Sequence, residues 1–261
     1  MDLPYQVSDD ERQAVSHGRR RILAHGLWSM IVLAGAGPVR GMLKNLNPES
    51  ANEIEARRTK LELASADLDH PEWKKARAVH ITRYWSGNDA PPQRHAEARL
   101  LWSKEALCVR FACPQAEPLV VSEKPQTDKK TMNLWDRDVC EIFIAPDAKA
   151  VERYYEFEAA PTGEWIDLAI HWKPEGRETE WEFHSGMTAA GRVSKGSVMM
   201  AMRVPWQALG HTPAPGERWR VNLFRCVGSG EGRGYLAWQP TRTEQPAFHV
   251  PQVFGWLEFK G

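Results

Sequence analysis

The stretch Asn133–Ile144, NLWDRDVCEIFI, sets a tryptophan and several charges into what otherwise reads as a β-strand. Extended from Asp138, its side chains alternate, so Cys140, Ile142 and Ile144 share one face while Glu141 shares the other with Val139 and Phe143. A carboxylate in that company is either a solvated strand residue or a hydrogen-bond acceptor in a partly apolar site. With Glu156 and Glu158 on the next apparent strand, Asp138 and Glu141 could also supply the two carboxylates, about 5 to 10 Å apart, that a glycosidase requires. His249 could donate to a ligand oxygen or bond a loop carbonyl. Met199, Met200 and Met202 in VMMAMRV are either core filler or, with a histidine, axial ligands for haem.

Composition narrows these readings. In 261 residues, Lys+Arg and Asp+Glu both number 34, so no net field draws the chain to nucleic acid or to an anionic membrane. Twelve tryptophans against five tyrosines exceed what a core of this size demands, which points to flat apolar faces offered to a ligand. Cys108, Cys113, Cys140 and Cys226 lack CxxC or zinc spacing. Cys108 and Cys113 could close a short loop in an oxidising compartment, but the four read better as buried free thiols. Asp136, Asp147 and Asp167 could join a calcium ion bracing a loop, although no calcium-loop spacing is present, and no other cofactor is expected.

The first 65 residues differ from the rest. Arg19–Arg21 precede a mostly apolar run, Ile22–Val39, that contains Ala34-Gly35-Ala36, so residues 1–40 read as a targeting or anchor-like segment. His25, Gly26, Ser29 and Pro38 interrupt the run, which weakens a permanent bilayer span. Residues 41–65 read as a polar linker, with Asn45–Lys60 showing no apolar stripe. From Ala66 the chain shows about ten strand candidates, at 78–85, 96–102, 106–112, 138–144, 153–159, 165–172, 197–204, 218–227, 235–238 and 253–259. Only Pro205–Leu209 suggests a helical turn. Strands at this spacing without intervening helices or repeats predict an all-β fold, one antiparallel β-sandwich of jelly-roll type, monomeric, preceded by a non-core N-terminal segment.

The order of LDHPEWKKARAVHI, RLLWSKEALCVRFAC, NLWDRDVCEIFIAPD, YYEFEAAPTGEWID, MRVPWQAL, GERWRVNLFR and AWQPTRTEQPAFHVPQVFGWLEF resembles the family 9 carbohydrate-binding modules and their family 9-like relatives, over residues 66–261. The most specific pieces are Trp135 followed by Asp138-x-x-Glu141-x-Phe143, the Val-Pro-Trp at 204–206, and Phe-His-x-Pro-x-x-Phe-Gly at 248–255. The resemblance implies a sandwich that holds a mono- or disaccharide, or a glycan chain end, in a slot between two aromatic rings, without catalysis and in support of carbohydrate breakdown. It makes Trp135 one wall and Glu141 a hydroxyl acceptor. A straight strand would separate these two by about 20 Å, so Trp135–Arg137 must curl back as a loop, bringing Arg137 with it. The second wall is Phe248 or Trp238, because the loop TRTEQPAFH lacks a tryptophan, and Asn222, Arg225 and His249 add polar contacts. Bland readings stand beside these: Trp135 capping a sheet edge, Glu141 paired with Arg137 or Arg225, and Phe248 with Phe254 as core plugs. A surface interaction module that has lost its sugar is the remaining alternative.

A sugar-binding module acts where glycans are, and the 19–36 pattern predicts export to the periplasm or beyond, with the leader cleaved or retained as a membrane anchor. Fractionation of the native host with mass measurement of the N-terminus checks this; protein with intact Met1 found only in the cytoplasm would refute it.

Overall fold

The computed structural model describes residues 52–261, so the expected targeting or anchor-like segment at 1–40 lies outside the described residues. Within them, no helix is long and apolar enough to cross a membrane. Fourteen strands follow one another: β1 Glu53–Arg58, β2 Val79–Ile81, β3 Arg83–Tyr84, β4 Ala96–Trp102, β5 Ala106–Pro114, β6 Val139–Ala145, β7 Arg153–Ala159, β8 Trp165–Lys173, β9 Gly176–Glu180, β10 Thr188–Ser194, β11 Ser197–Pro205, β12 Arg218–Val227, β13 Gly234–Ala237 and β14 Gly255–Lys260. Among the described residues one α-helical turn, Trp206–Leu209, follows β11 with Pro205 at its N-cap, where a missing N–H is harmless.

The strands form one curled sheet in the order β10-β11-β5-β4-β1-β14-β12-β6-β7-β8-β9, with β2, β3 and β13 paired off this path. Most pairs are antiparallel, as alternation predicts, but β1 runs parallel to both β14 and β4. This corrects two expectations: the sheet is mixed, and residues 53–58, read as linker, belong to the core. Ile54 and Ala56 point inward and are buried, while Glu53, Glu55 and the arginines that follow hide the short apolar alternation in a charged sequence. Strands β9 (GRETE) and β10 (TAAGRVS) also escaped the pattern, because edge strands exposed to water carry little hydrophobic signal.

Curling brings the two halves of the sheet face to face. Leu100, Val109, Phe111 and Met200 from one half meet Ile142, Phe157 and Leu223 from the other in the main core. Met200 and Met202 fill this core, and Met199 takes a hydrogen bond from Arg192. Gly191 lets edge strand β10 approach the chain leaving β7, since a Cβ there would clash with the Pro161 carbonyl. Cys108 and Cys113 have opposite parity on β5 and do not pair: Cys113 Sγ lies 3.7 Å from Cys140 Sγ across the core, and Cys108 Sγ faces the Leu63 carbonyl. All four thiols are buried.

Arg225 is a clamp between the halves. Its guanidinium, buried on β12, donates to the carbonyls of Arg94, His95 and Pro114 and to Gln115 Oε1, at 2.5 to 2.9 Å. It pairs in register with Cys140, so it faces the core, opposite to Glu141. The expectation that Arg225 contacts a sugar is therefore corrected: its donors are spent on neutral acceptors inside the sandwich.

Two outcomes are expected. Arg225→Met keeps the aliphatic volume but leaves four acceptors, the buried Gln115 side chain among them, without their charged donor, and loses about 3 kcal/mol in denaturant unfolding. A fragment starting at residue 60 lacks β1 and leaves β4 and β14 with open edges; it is expected to melt well below a fragment starting at residue 52, and equal melting temperatures would show that β1 adds nothing.

Candidate functional site

The sheet face turned away from the main core gathers the residues singled out in the sequence. On β6, β7 and β12 it presents Val139, Glu141, Phe143, Tyr154, Glu156, Glu158, Asn222, Phe224 and Cys226, because these alternate with the core-facing set and stand opposite one another in register. Two loops cover it. The first is the 3-10 turn Leu134–Asp136, entered through Asn133 at φ 57°, a left-handed conformation that asparagine tolerates better than most residues. Leu134 is fully buried and anchors the turn, which leaves Trp135 partly exposed at the rim of the same apolar cluster. Arg233 fixes the turn from below by donating to the carbonyls of Trp135 and Arg137 at 2.6 and 2.7 Å. The expected curl of Trp135–Arg137 is thus present.

The second loop carries Phe248, His249 and Phe254. Phe248 stacks on Phe224 with ring centroids 4.0 Å apart and planes 13° apart, and Phe254 meets Phe143 and Tyr154 edge-on. His249 Nδ1 lies 2.8 Å from the Tyr154 hydroxyl, and Nε2 lies 3.8 Å from Glu156 Oε2. Burial, helped by the Arg177 charge, pulls the His249 pKa down to about 3, so the ring is neutral at physiological pH. Asn222 is consumed locally: Oδ1 accepts from the N–H groups of Leu223 and Gln239, and Nδ2 donates to the Gln239 carbonyl. Trp238 belongs to the main core on the other face, packed where only the bare backbone of Gly255 leaves room.

Of the eight expected contact residues, Trp135 and Arg137 are therefore the ones with substantial exposure at a common place. Arg137 does not pair with Glu141; its Nη1 donates to Glu164 Oε1 at 2.9 Å. The second aromatic beside Trp135 is neither Phe248 nor Trp238 but Trp181, with ring centroids 6.2 Å apart and planes tilted by 44°. Trp181 is 44% exposed, and Lys130 holds its loop by donating to the carbonyls of Asp167, Trp181 and Phe183. Its signal was readable: a tryptophan between acidic residues in ETEWEFH has no core to serve.

Glu141 is buried beneath this surface. It stands directly opposite Glu158 on β7, with Glu156 two residues along on the same face, and one oxygen from each of the three lies within 4.8 Å of the others. Glu141 Oε1 accepts a weak bond from Cys226 Sγ at 3.5 Å. Glu156 Oε2 and both oxygens of Glu158 meet no hydrogen-bond donor. Burial, together with the neighbouring Glu156, pushes Glu141 up to about 8, and burial raises Glu156 and Glu158 as well. Chemically the region thus has two parts: an outer pair of indoles with polar neighbours, and an inner set of three carboxylates.

A search of curated proteins found no match. Among solved structures, a candidate carbohydrate-binding protein from Bacteroides uniformis is similar over 80% of this chain and 99% of its own, at 18% identity and a TM-score of 0.64. A family 9 carbohydrate-binding module from Caldicellulosiruptor kristjanssonii is similar in its glucose complex, at 16% identity, 80% and 96% coverage and a TM-score of 0.55. Its cellotriose complex gives 13%, 80% and 94%, and 0.54. At these identities the solved structures speak for the fold, and the sequence itself speaks for the family: residues 66–261 match the carbohydrate family 9 binding domain-like family, and the chain belongs to it.

Proposed function

We propose that this chain binds carbohydrate without catalysis, through the surface that carries Trp135 and Trp181, and that it holds a mono- or disaccharide or a glycan chain end there. The observation that carries the reading is the half-exposed Trp181 set against Trp135, in a chain whose family is carbohydrate-binding and whose structural relatives include a module in complex with glucose and cellotriose. Sugar rings present C–H groups on their faces and hydroxyls around their rims, so they stack on indoles and hydrogen-bond to planar polar groups beside them. Asp136 and Glu182 are exposed next to the two indoles, and Arg137 is partly exposed, which supplies both acceptors and donors. With its planes tilted and in near contact, the indole pair acts as a stacking platform in this conformation. The buried carboxylates do not favour hydrolysis, since a general acid must reach the glycosidic oxygen and Glu141, Glu156 and Glu158 are sealed from the surface. The reading carries a role outside the cytoplasm, in support of carbohydrate breakdown or uptake, motivated by the 19–36 pattern.

A glycan array followed by calorimetric titration of the best sugar tests the platform. Trp181→Ala and Trp135→Ala are each expected to weaken binding by roughly 1 to 3 kcal/mol, about 5- to 150-fold. Because Trp181 projects into water, its variant should keep the parent melting temperature. No sugar bound on the array, or undiminished affinity in both folded variants, would refute the assignment.

A further inference from the structure

We propose that Glu141, Glu156 and Glu158 form a binding site for one hard divalent cation, calcium, on strands β6 and β7. The three side chains come from directly opposed and next-but-one positions on paired strands, so the backbone register itself fixes their convergence. Calcium binds oxygen at about 2.3 to 2.6 Å, which limits any two ligand atoms on one ion to about 5 Å apart, and one oxygen from each carboxylate meets that limit at 4.8 Å. Three carboxylates offer six oxygens in bidentate mode, a complete calcium shell without the retained waters and near-ideal octahedron that magnesium demands.

A second observation points to a missing partner. Glu158 is 0% exposed and both its oxygens lack a donor, as does Glu156 Oε2, although native structures leave very few buried polar atoms unsatisfied. Nearby bases do not supply it. His249 is the one basic side chain among the described ion pairs that approaches any of the three, and its Nε2 stops 3.8 Å from Glu156 Oε2, beyond hydrogen-bond distance. Arg233 spends its Nη donors on the carbonyls of Gly228, Trp135 and Arg137. A proton shared between Glu156 and Glu158 would pair one oxygen of each and leave the other Glu158 oxygen bare; a cation answers both the charge and all the empty lone pairs. This site rests on strand geometry and does not depend on the sugar reading.

The test uses the full chain, stripped with a chelator and titrated with calcium chloride in a calorimeter, with thermal unfolding followed in parallel. One binding event per chain and a melting temperature raised by several degrees are expected, and Glu158→Gln, isosteric and neutral, should abolish both while keeping the all-β circular dichroism spectrum. Should that variant fail to fold, Glu156→Gln takes its place with the same expectation. Absence of binding heat, or an equal temperature shift in the wild type and the glutamine variant, overturns the site; a magnesium response equal to that of calcium overturns the choice of ion.

Discussion

Strand β1 is the constraint on which the architecture turns. It lies between β4 and β14 and pairs with both, so among the described residues the two halves of the sheet are continuous through its backbone hydrogen bonds. Six residues thereby convert two open edges into an interior strand, and the sheet can curl until its halves face each other. Side-chain packing follows from that closure: Ile54 and Ala56 enter the main core, and the Trp102 indole donates to the Lys260 carbonyl across the same junction. The Arg225 clamp then reinforces the approach from within, tying β12 to the loop before β4 and to the end of β5.

Once the sheet is curled, parity divides the labour of its β6, β7 and β12 segment. One face is spent on the sandwich core. The other must be covered by loops, and the Leu134–Asp136 turn and the Phe248–Phe254 segment do so with aromatic side chains. This is why carboxylates at Glu141, Glu156 and Glu158 end up dry: they stand on a sheet face that would be wet in a flat sheet, but the loops above have sealed it. The burial raises their pKa values and makes them a distinct chemical feature, separate from the tryptophans at the rim. The two indoles at the rim and the three carboxylates on β6 and β7 differ in their access to solvent.

Much of this organisation was legible from sequence because alternation is a local property. Hydrophobic period fixes which residues share a face: it located ten strand candidates, which correspond to eleven of the fourteen described strands because 78–85 divides into β2 and β3, and it grouped Glu141 with Phe143. What failed were places where the local signal is weak or where facing partners are far apart in the chain. Strand β1 carries two apolar residues among charges, and β9 and β10 are edge strands, so their pairing is decided by what lies beside them. Arg225 and Asn222 looked like ligand contacts because a polar residue in a strand invites that reading; only the fold reveals that the loop before β4, the end of β5 and the Gln239 backbone already use their hydrogen-bonding groups.

By itself, then, the sequence determined the all-β class, the family over residues 66–261 and the thiol character of the cysteines, because each is written in types and short spacings. Tertiary structure decided the rest. The partner of Trp135 is Trp181, 46 positions away in sequence, and it was settled by the path of the loop after β9. Whether Glu141 meets water or two other carboxylates depends on strand register between β6 and β7 and on the loops above them. A one-residue slip in that register would place Glu158 on the opposite face, which is the physical reason why no count of residue types could have assembled the three acids.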